Sequence, residues 1–136
     1  MRSIKPLLIV GFSLSLYMCR PARIQDSPEN LVSNALDRRT VLNHDTLYLF
    51  YARDPEYPIR ADLAKTYFWF RQDTILRTVG GYGGRLLDGE FKAFYPNKNL
   101  KEYGVFNYGL KDGEWKTWNP DGSLRSVSYW KKGIEK

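Results

Sequence analysis

Two acid pairs, Asp88 with Glu90 and Asp112 with Glu114, stand 24 positions apart in matching surroundings, Asp-Gly-Glu-aromatic-Lys in both cases. Two carboxyl groups held about 5 to 10 Å apart can share glycoside hydrolysis, one delivering a proton and the other acting as base or nucleophile. That chemistry would make the chain an envelope glycan hydrolase, a remote alternative, because acids that return with a repeat mark a turn more often than a catalytic centre. His44 is the only histidine and sits in Asn43-His44-Asp45-Thr46, a turn environment ahead of a strand. A nucleophile needs a base within hydrogen-bond reach, and no feature of the sequence ties the single cysteine, Cys19, to His44. One cysteine excludes a disulfide framework and any multi-cysteine metal site. No metal-ligand spacing occurs elsewhere. Gly80-Gly81-Tyr82-Gly83-Gly84 is not followed by the Lys-Ser/Thr helix start of a phosphate cradle, so it reads as a loop. No catalytic, cofactor-binding or metal-binding residue is therefore expected, and the chain reads as a non-enzyme.

Cys19 has a different use. Arg2 and Lys5 are followed by an uncharged run from Pro6 to Met18, which ends at the cysteine. Thirteen residues suit the apolar core of an export signal and are too few to span a bilayer comfortably. The stretch resembles the lipoprotein signal of bacteria, in which Leu16 holds the typical place three residues before the Cys. The resemblance implies lipidation of Cys19 and a membrane-anchored lipoprotein of the bacterial cell envelope, on its periplasmic or surface side. Acyl chains supply about 0.8 kcal/mol per buried CH₂, so several together hold a soluble domain on a membrane. Residues 1–18 are thus read as export signal and 19–26 as tether.

The 136 residues allow one domain, and a hydrophobic content of 43% is enough for a core. The aromatic share of 15% suits strands. The formal charge of +6 is spread among carboxylates and reads as a solvated basic surface. Residues 27–66 are expected to hold a helix followed by a strand region. Ser27-Pro28-Glu29 is a helix start, Leu31, Val32, Ala35 and Leu36 keep helical spacing, and Arg38 and Arg39 sit where the helix dipole favours cations. From Thr46 the run TLYLFYAR is β-type, and two prolines in DPEYP end it. TYFWFR and ILRTV around QDT then read as a hairpin.

Residues 67–136 form a repeat region. Asp88 aligns with Asp112, Phe91 with Trp115, Lys92 with Lys116, Phe94 with Trp118, Pro96 with Pro120, Leu100 with Leu124, Phe106 with Trp130 and Gly109 with Gly133. A fixed period in this range marks a supersecondary unit used again, here two short runs and a turn. In Asn119-Pro120-Asp121-Gly122-Ser123 the Pro presets the first corner and Gly122 can take a left-handed conformation. In the first copy Lys98 replaces that glycine, so Asn97 or Asn99 is expected to supply the left-handed residue. After the turn, Leu100, Glu102, Gly104 and Phe106 should share one face, with Lys101, Tyr103 and Val105 opposite. Tyr67, Phe70, Asp73 and Leu76 fall where a third, decayed copy would lie. Such units cannot bury a face alone, so neighbours stack.

The stretch from Asp88 to Gly133 resembles the MORN-variant repeat, a Gly-Glu-aromatic, Asn/Asp-Gly-Leu, Lys-Gly pattern of bacterial proteins, some labelled antitoxins. The resemblance implies a mainly β fold, a meander sheet of antiparallel β-hairpin repeats; the short N-terminal helix completes the expected architecture. It also implies an alternative function, an antitoxin or immunity-type protein that occludes a toxin. The aromatics are mainly core or cross-strand ladder. The candidates for an exposed platform are Phe94, Tyr103, Trp118 and Tyr129, interleaved with Lys92 and Lys116. The expected function is an exported, lipid-anchored binding module presenting a sheet face to a protein or envelope polymer. Nucleic acid is an unsuitable partner for an exported chain.

Overall fold

A computed structural model describes residues 36–53 and 59–136. The export signal, Cys19, the tether and the helix expected from Ser27 as far as residue 35 lie outside the described residues. Where that helix would continue, through Leu36, Arg38 and Arg39, the chain is instead a strand, β1 (Leu36–Asn43). Tertiary pairing decides the matter. Each residue of β1 pairs antiparallel with β2 (Thr46–Arg53), from Leu36 opposite Arg53 to Asn43 opposite Thr46. Alternation then buries Val41 on one face and exposes Leu42 on the other.

The remaining strands among the described residues are β3 (Thr66–Arg71), β4 (Thr74–Val79), β5 (Arg85–Phe94), β6 (Leu100–Asn107), β7 (Leu110–Trp118), β8 (Leu124–Lys131) and β9 (Ile134–Glu135). All pairings are antiparallel, and the main sheet runs β1-β2-β5-β6-β7-β8-β9. The architecture is the expected one, mainly antiparallel β with hairpin repeats. The decayed third copy is indeed a hairpin, β3–β4, but it is not the next unit of the main sheet. β3 meets β5 only through Trp69 opposite Leu86 and Phe70 opposite Arg85. The place beside the rest of β5 belongs to β2.

Leaving the sheet, β3–β4 lies across one face and closes the core. Phe68, Phe70 and Ile75 pack from the hairpin onto Val41, Phe50, Leu87, Phe91, Phe106 and Trp115 of the sheet. Phe70 meets Phe50 edge-on at 5.2 Å, and Phe68 meets Phe106 at 5.0 Å. Trp115, 2% exposed, is 4.8 Å from Phe106 and 5.7 Å from Phe91. The two repeats therefore share one continuous aromatic layer. Gly104 makes this layer fit. It lies directly under the Trp115 ring, and a Cβ there would fall 2.2 Å from Cδ2. A second cluster, Tyr67, Trp69 and Leu86, packs with Ile59, Ala61, Tyr82 and Leu110. Tyr82, inside the glycine-rich loop, ties that loop down through its hydroxyl, which accepts from Ile59 N and donates to Ile59 O.

The repeat is also visible in its turns. Tyr95 N–H donates to Asn99 O, and Asn119 N–H to Ser123 O, both at 2.9 Å. Gly122 has φ 87°, as expected. In the first copy the left-handed residue is Lys98 itself, φ 70°, not Asn97 or Asn99. The side chain of Asn97 is used otherwise, its Oδ1 accepting from Asn99 N–H, as Asp121 Oδ1 accepts from Ser123 N–H. Lys98 is left as the corner residue, its N–H donating to Tyr95 O. The turns also stack: Nδ2 of Asn97 and of Asn99 both donate to Pro120 O, at 2.7 and 2.8 Å.

One further expectation is corrected. A register shift between Ala93 and Phe94 puts Leu100 opposite Phe94, and its counterpart puts Leu124 opposite Trp118. Directly paired residues share a face. Leu100 therefore sides with Phe94 rather than with Phe106, because a bulge resets the alternation at the start of β6.

Candidate binding face

Among the described residues, none covers the face turned away from β3–β4. One transverse row crosses it in unbroken register: Thr40, Leu49, Lys92, Tyr103, Lys116 and Val127, each paired with the next. Period-2 alternation puts Phe94 and Trp118 two residues beyond Lys92 and Lys116 on the same side, and Tyr129 two beyond Val127. All six residues singled out from the sequence, Phe94, Tyr103, Trp118, Tyr129, Lys92 and Lys116, are thus brought together on this face. Tyr129 is exposed and the other five are half-buried.

The two lysines of the face are matched within it. Lys92 Nζ lies 2.9 Å from Glu90 Oε2 and 5.8 Å from the Tyr103 ring centroid. Lys116 pairs with Glu114, which also accepts from the Tyr129 hydroxyl at 3.1 Å. The hydrogen bond from Lys116, with that of Tyr129 second, holds the Glu114 carboxyl below its ordinary range, and Glu114 in turn raises Lys116. Exposed pairs of this kind contribute little stability. Their effect is to leave a face of aromatic rings and neutralised ion pairs. At its β1–β2 end an apolar groove of about 530 Å³ runs between Leu42, Leu47, Leu49, Phe94 and Pro96.

The acids proposed for hydrolysis have other work. Asp88, 8% exposed, accepts from Arg53, whose Nε is 2.7 Å away, and from Tyr108 N–H at 3.2 Å. Asp112 accepts from Lys132 N–H at 2.9 Å. Gly109 N–H donates to Leu87 O, and Gly133 N–H to Lys111 O. Each aspartate thus fastens the two-residue turn that ends its own unit, which is why it recurs. Glu90 and Glu114 sit in the lysine pairs already described. His44, exposed at φ 51°, has its ring Nδ1 2.6 Å from Asn43 Oδ1.

Residues that the sequence reading passed over also shape the face. Leu42, Leu47 and Leu49 make the groove; for Leu47 and Leu49 the signal was present in TLYLFYAR, where apolar residues occupy both alternating sets. Arg53, which grips Asp88 and lies 4.1 Å over the Tyr108 ring, had no such signal, since its partner is far along the chain.

Among the described residues, fold and face together define a hairpin-repeat sheet with one covered and one open side. Residues 87–108 and 111–132 match the family model of the MORN repeat variant, one copy in β5–β6 and one in β7–β8. The match leaves out β3–β4, in keeping with its separate course. Comparison with curated proteins and with solved structures yields no match.

Proposed function

We propose that the protein is an exported, lipid-anchored binding module, held on the membrane through Cys19, whose open sheet face recognises a protein or an envelope polymer. One observation carries this reading. The β3–β4 hairpin seals one side of the sheet, while four aromatics, Phe94, Tyr103, Trp118 and Tyr129, remain grouped on the other. Aromatic anchors amid polar neighbours are what recognition surfaces favour. Lys92 and Lys116 are matched by Glu90 and Glu114, which favours a neutral or mixed-charge partner over a polyanion at the aromatic cluster. A toxin occluded by an antitoxin-type protein would be one such protein partner.

The test has two arms. The full chain and its Cys19→Ser variant are expressed in a bacterium and fractionated; identical recovery of both in the soluble fraction removes the anchor. Purified full chain is then sedimented with isolated envelope polymer, beside a Tyr103→Ser, Trp118→Ser, Tyr129→Ser triple variant. The triple variant is expected to keep its strand signal and lose retention. Equal retention of both would show that the open face is not the recognition surface.

A further inference from the structure

The described residues do not completely fill the covered side of the sheet. A cavity of about 180 Å³ lies between β3–β4 and the sheet. Its apolar walls are Phe68 and Ile75 from the hairpin and Val41, Phe91, Phe106 and Trp115 from the sheet, and Asn43 and Tyr48 also line it. The four sheet residues are each no more than 8% exposed, so these walls are fixed by packing. An apolar cavity of about 150 Å³ stays dry and accepts benzene. The present one is larger by the size of a small substituent.

The chemistry at one end says which substituent. Glu102 and Lys111 line the cavity with side chains 31% and 19% exposed, and so stand where it meets solvent. Their Oε1 and Nζ are 3.3 Å apart. Lys111 Nζ is also 4.0 Å from the Trp115 ring centroid and 5.2 Å from that of Trp130. An ammonium has three donors, and among the described residues Lys111 gives a hydrogen bond only to Glu102. Glu102 has acceptor capacity to spare. A hydroxyl group answers both needs, accepting from Lys111 and donating to Glu102. A carboxylate would meet the Glu102 charge, and a bare hydrocarbon would leave the pair as it is.

We propose that this cavity is a binding site for a small monocyclic phenol, its ring among Phe91, Phe106 and Trp115 and its hydroxyl between Glu102 and Lys111. The site is separate from the open face and independent of what that face recognises.

The probes are phenol, toluene and benzoate, titrated into the purified full chain. Binding is followed by the methyl resonances of Val41 and Ile75 and by tryptophan fluorescence. Phenol is expected to bind about fivefold more tightly than toluene, the worth of one net hydrogen bond, and benzoate most weakly. Glu102→Leu removes the acceptor and leaves the Lys111 donor, so it should reduce the advantage of phenol and leave toluene unchanged. Ile75→Trp, which fills the space, should abolish binding of all three. Should Ile75→Trp fail to fold, the Glu102→Leu comparison still decides. Equal affinity for the three probes, shifts confined to residues elsewhere, an unaltered phenol preference in Glu102→Leu, or no saturable response at all would each overturn the assignment.

Discussion

Gly104→Ala adds one methyl group, and the structure says where it goes. The new Cβ would stand 2.2, 2.3 and 2.7 Å from Cδ2, Cε2 and Cε3 of Trp115. Carbon atoms rest at about 3.5 to 4.0 Å, so the ring would have to retreat by more than about 1 Å. Retreat toward the cavity that the ring lines would strip it of its neighbours. Phe91 and Phe106 pack against it, and its Nε1–H donates to Val105 O at 3.2 Å. Overpacking of this kind costs about 1 to 3 kcal/mol, and expulsion of the ring would approach the 3 to 5 kcal/mol of a Trp→Ala change. A loss of about 3 kcal/mol is expected, a downward shift of about 1.5 M in urea midpoint for a slope of about 2 kcal/mol per M. The diagnostic variant is the pair. In Trp115→Leu the obstacle is absent, so adding Gly104→Ala to it should cost less than about 0.5 kcal/mol. The coupling between the two sites would then be about 2 to 3 kcal/mol. Additive losses in the double variant would show that Gly104 is not where the tryptophan rests, and the account of the shared aromatic layer would fall.

Three other outcomes can be checked by equilibrium unfolding and NMR. Asp88→Ala strands the nearly buried Arg53 guanidinium and should cost about 3 kcal/mol. Asp112→Ala removes one amide partner at the edge of the fold and should cost about 1 kcal/mol; equal urea midpoints for the two variants would refute their different roles. At the turns, Gly122→Val should destabilise by about 1 kcal/mol or more and by more than Lys98→Val. Lys98→Gly should stabilise by about 0.5 kcal/mol, the left-handed strain relieved minus the added unfolded-state entropy, and a destabilised Lys98→Gly would contradict the assigned corner. Asp37, Glu114 and Asp121 all titrate below their ordinary values of 3.8, 4.5 and 3.8, through hydrogen bonds from Arg85, Lys116 and Ser123 respectively. The unfolded chain therefore binds these protons at higher pH than the folded one. Their contribution is present above the ordinary values and lost as pH falls through the folded ones, and carboxyl resonances titrating at or above the ordinary values would oppose this.

The repeat was legible because its punctuation is local. Asp121-Gly122, Tyr108-Gly109 and Lys132-Gly133 mark corners whose geometry depends on a few adjacent residues. Period-2 alternation after the first turn set Tyr103 and Val105 opposite Gly104 and Phe106, and the burial of Gly104 and Phe106 follows that division. What stayed hidden depends on distant partners. Leu36, Arg38 and Arg39 continue a helical spacing, and only the whole length of β2 makes them a strand. Tyr67 and Phe70 sit in phase with the later units, yet the chain turns over the sheet because β2 takes the edge of β5. The bulge at Phe94 is a matter of cross-strand count, which no single run discloses. Gly104 stood in a run of aromatics and was assigned only a face; the ring that requires it comes from the next strand.

The strand order also bears on how the molecule assembles. From β5 to β9 every pairing joins neighbours in the chain through turns of two or five residues, so loop closure is inexpensive there. β5 alone also receives β2 and β3, and β2 reaches it only after the chain has passed through the whole β3–β4 excursion. Local contacts form early and distant ones late. The meander is thus expected to take shape first, with the β1–β2 ribbon docking last on a β5 edge already in place. Pulse-labelled amides of Phe106 and Trp115 should gain protection before those of Leu47 and Leu49, and the reverse order would refute this. Until docking, that edge is a bare strand with Phe91 and Phe94 beside it, open to a second molecule in the same state. The repeats bring speed, and the hazard falls on the one strand that must wait.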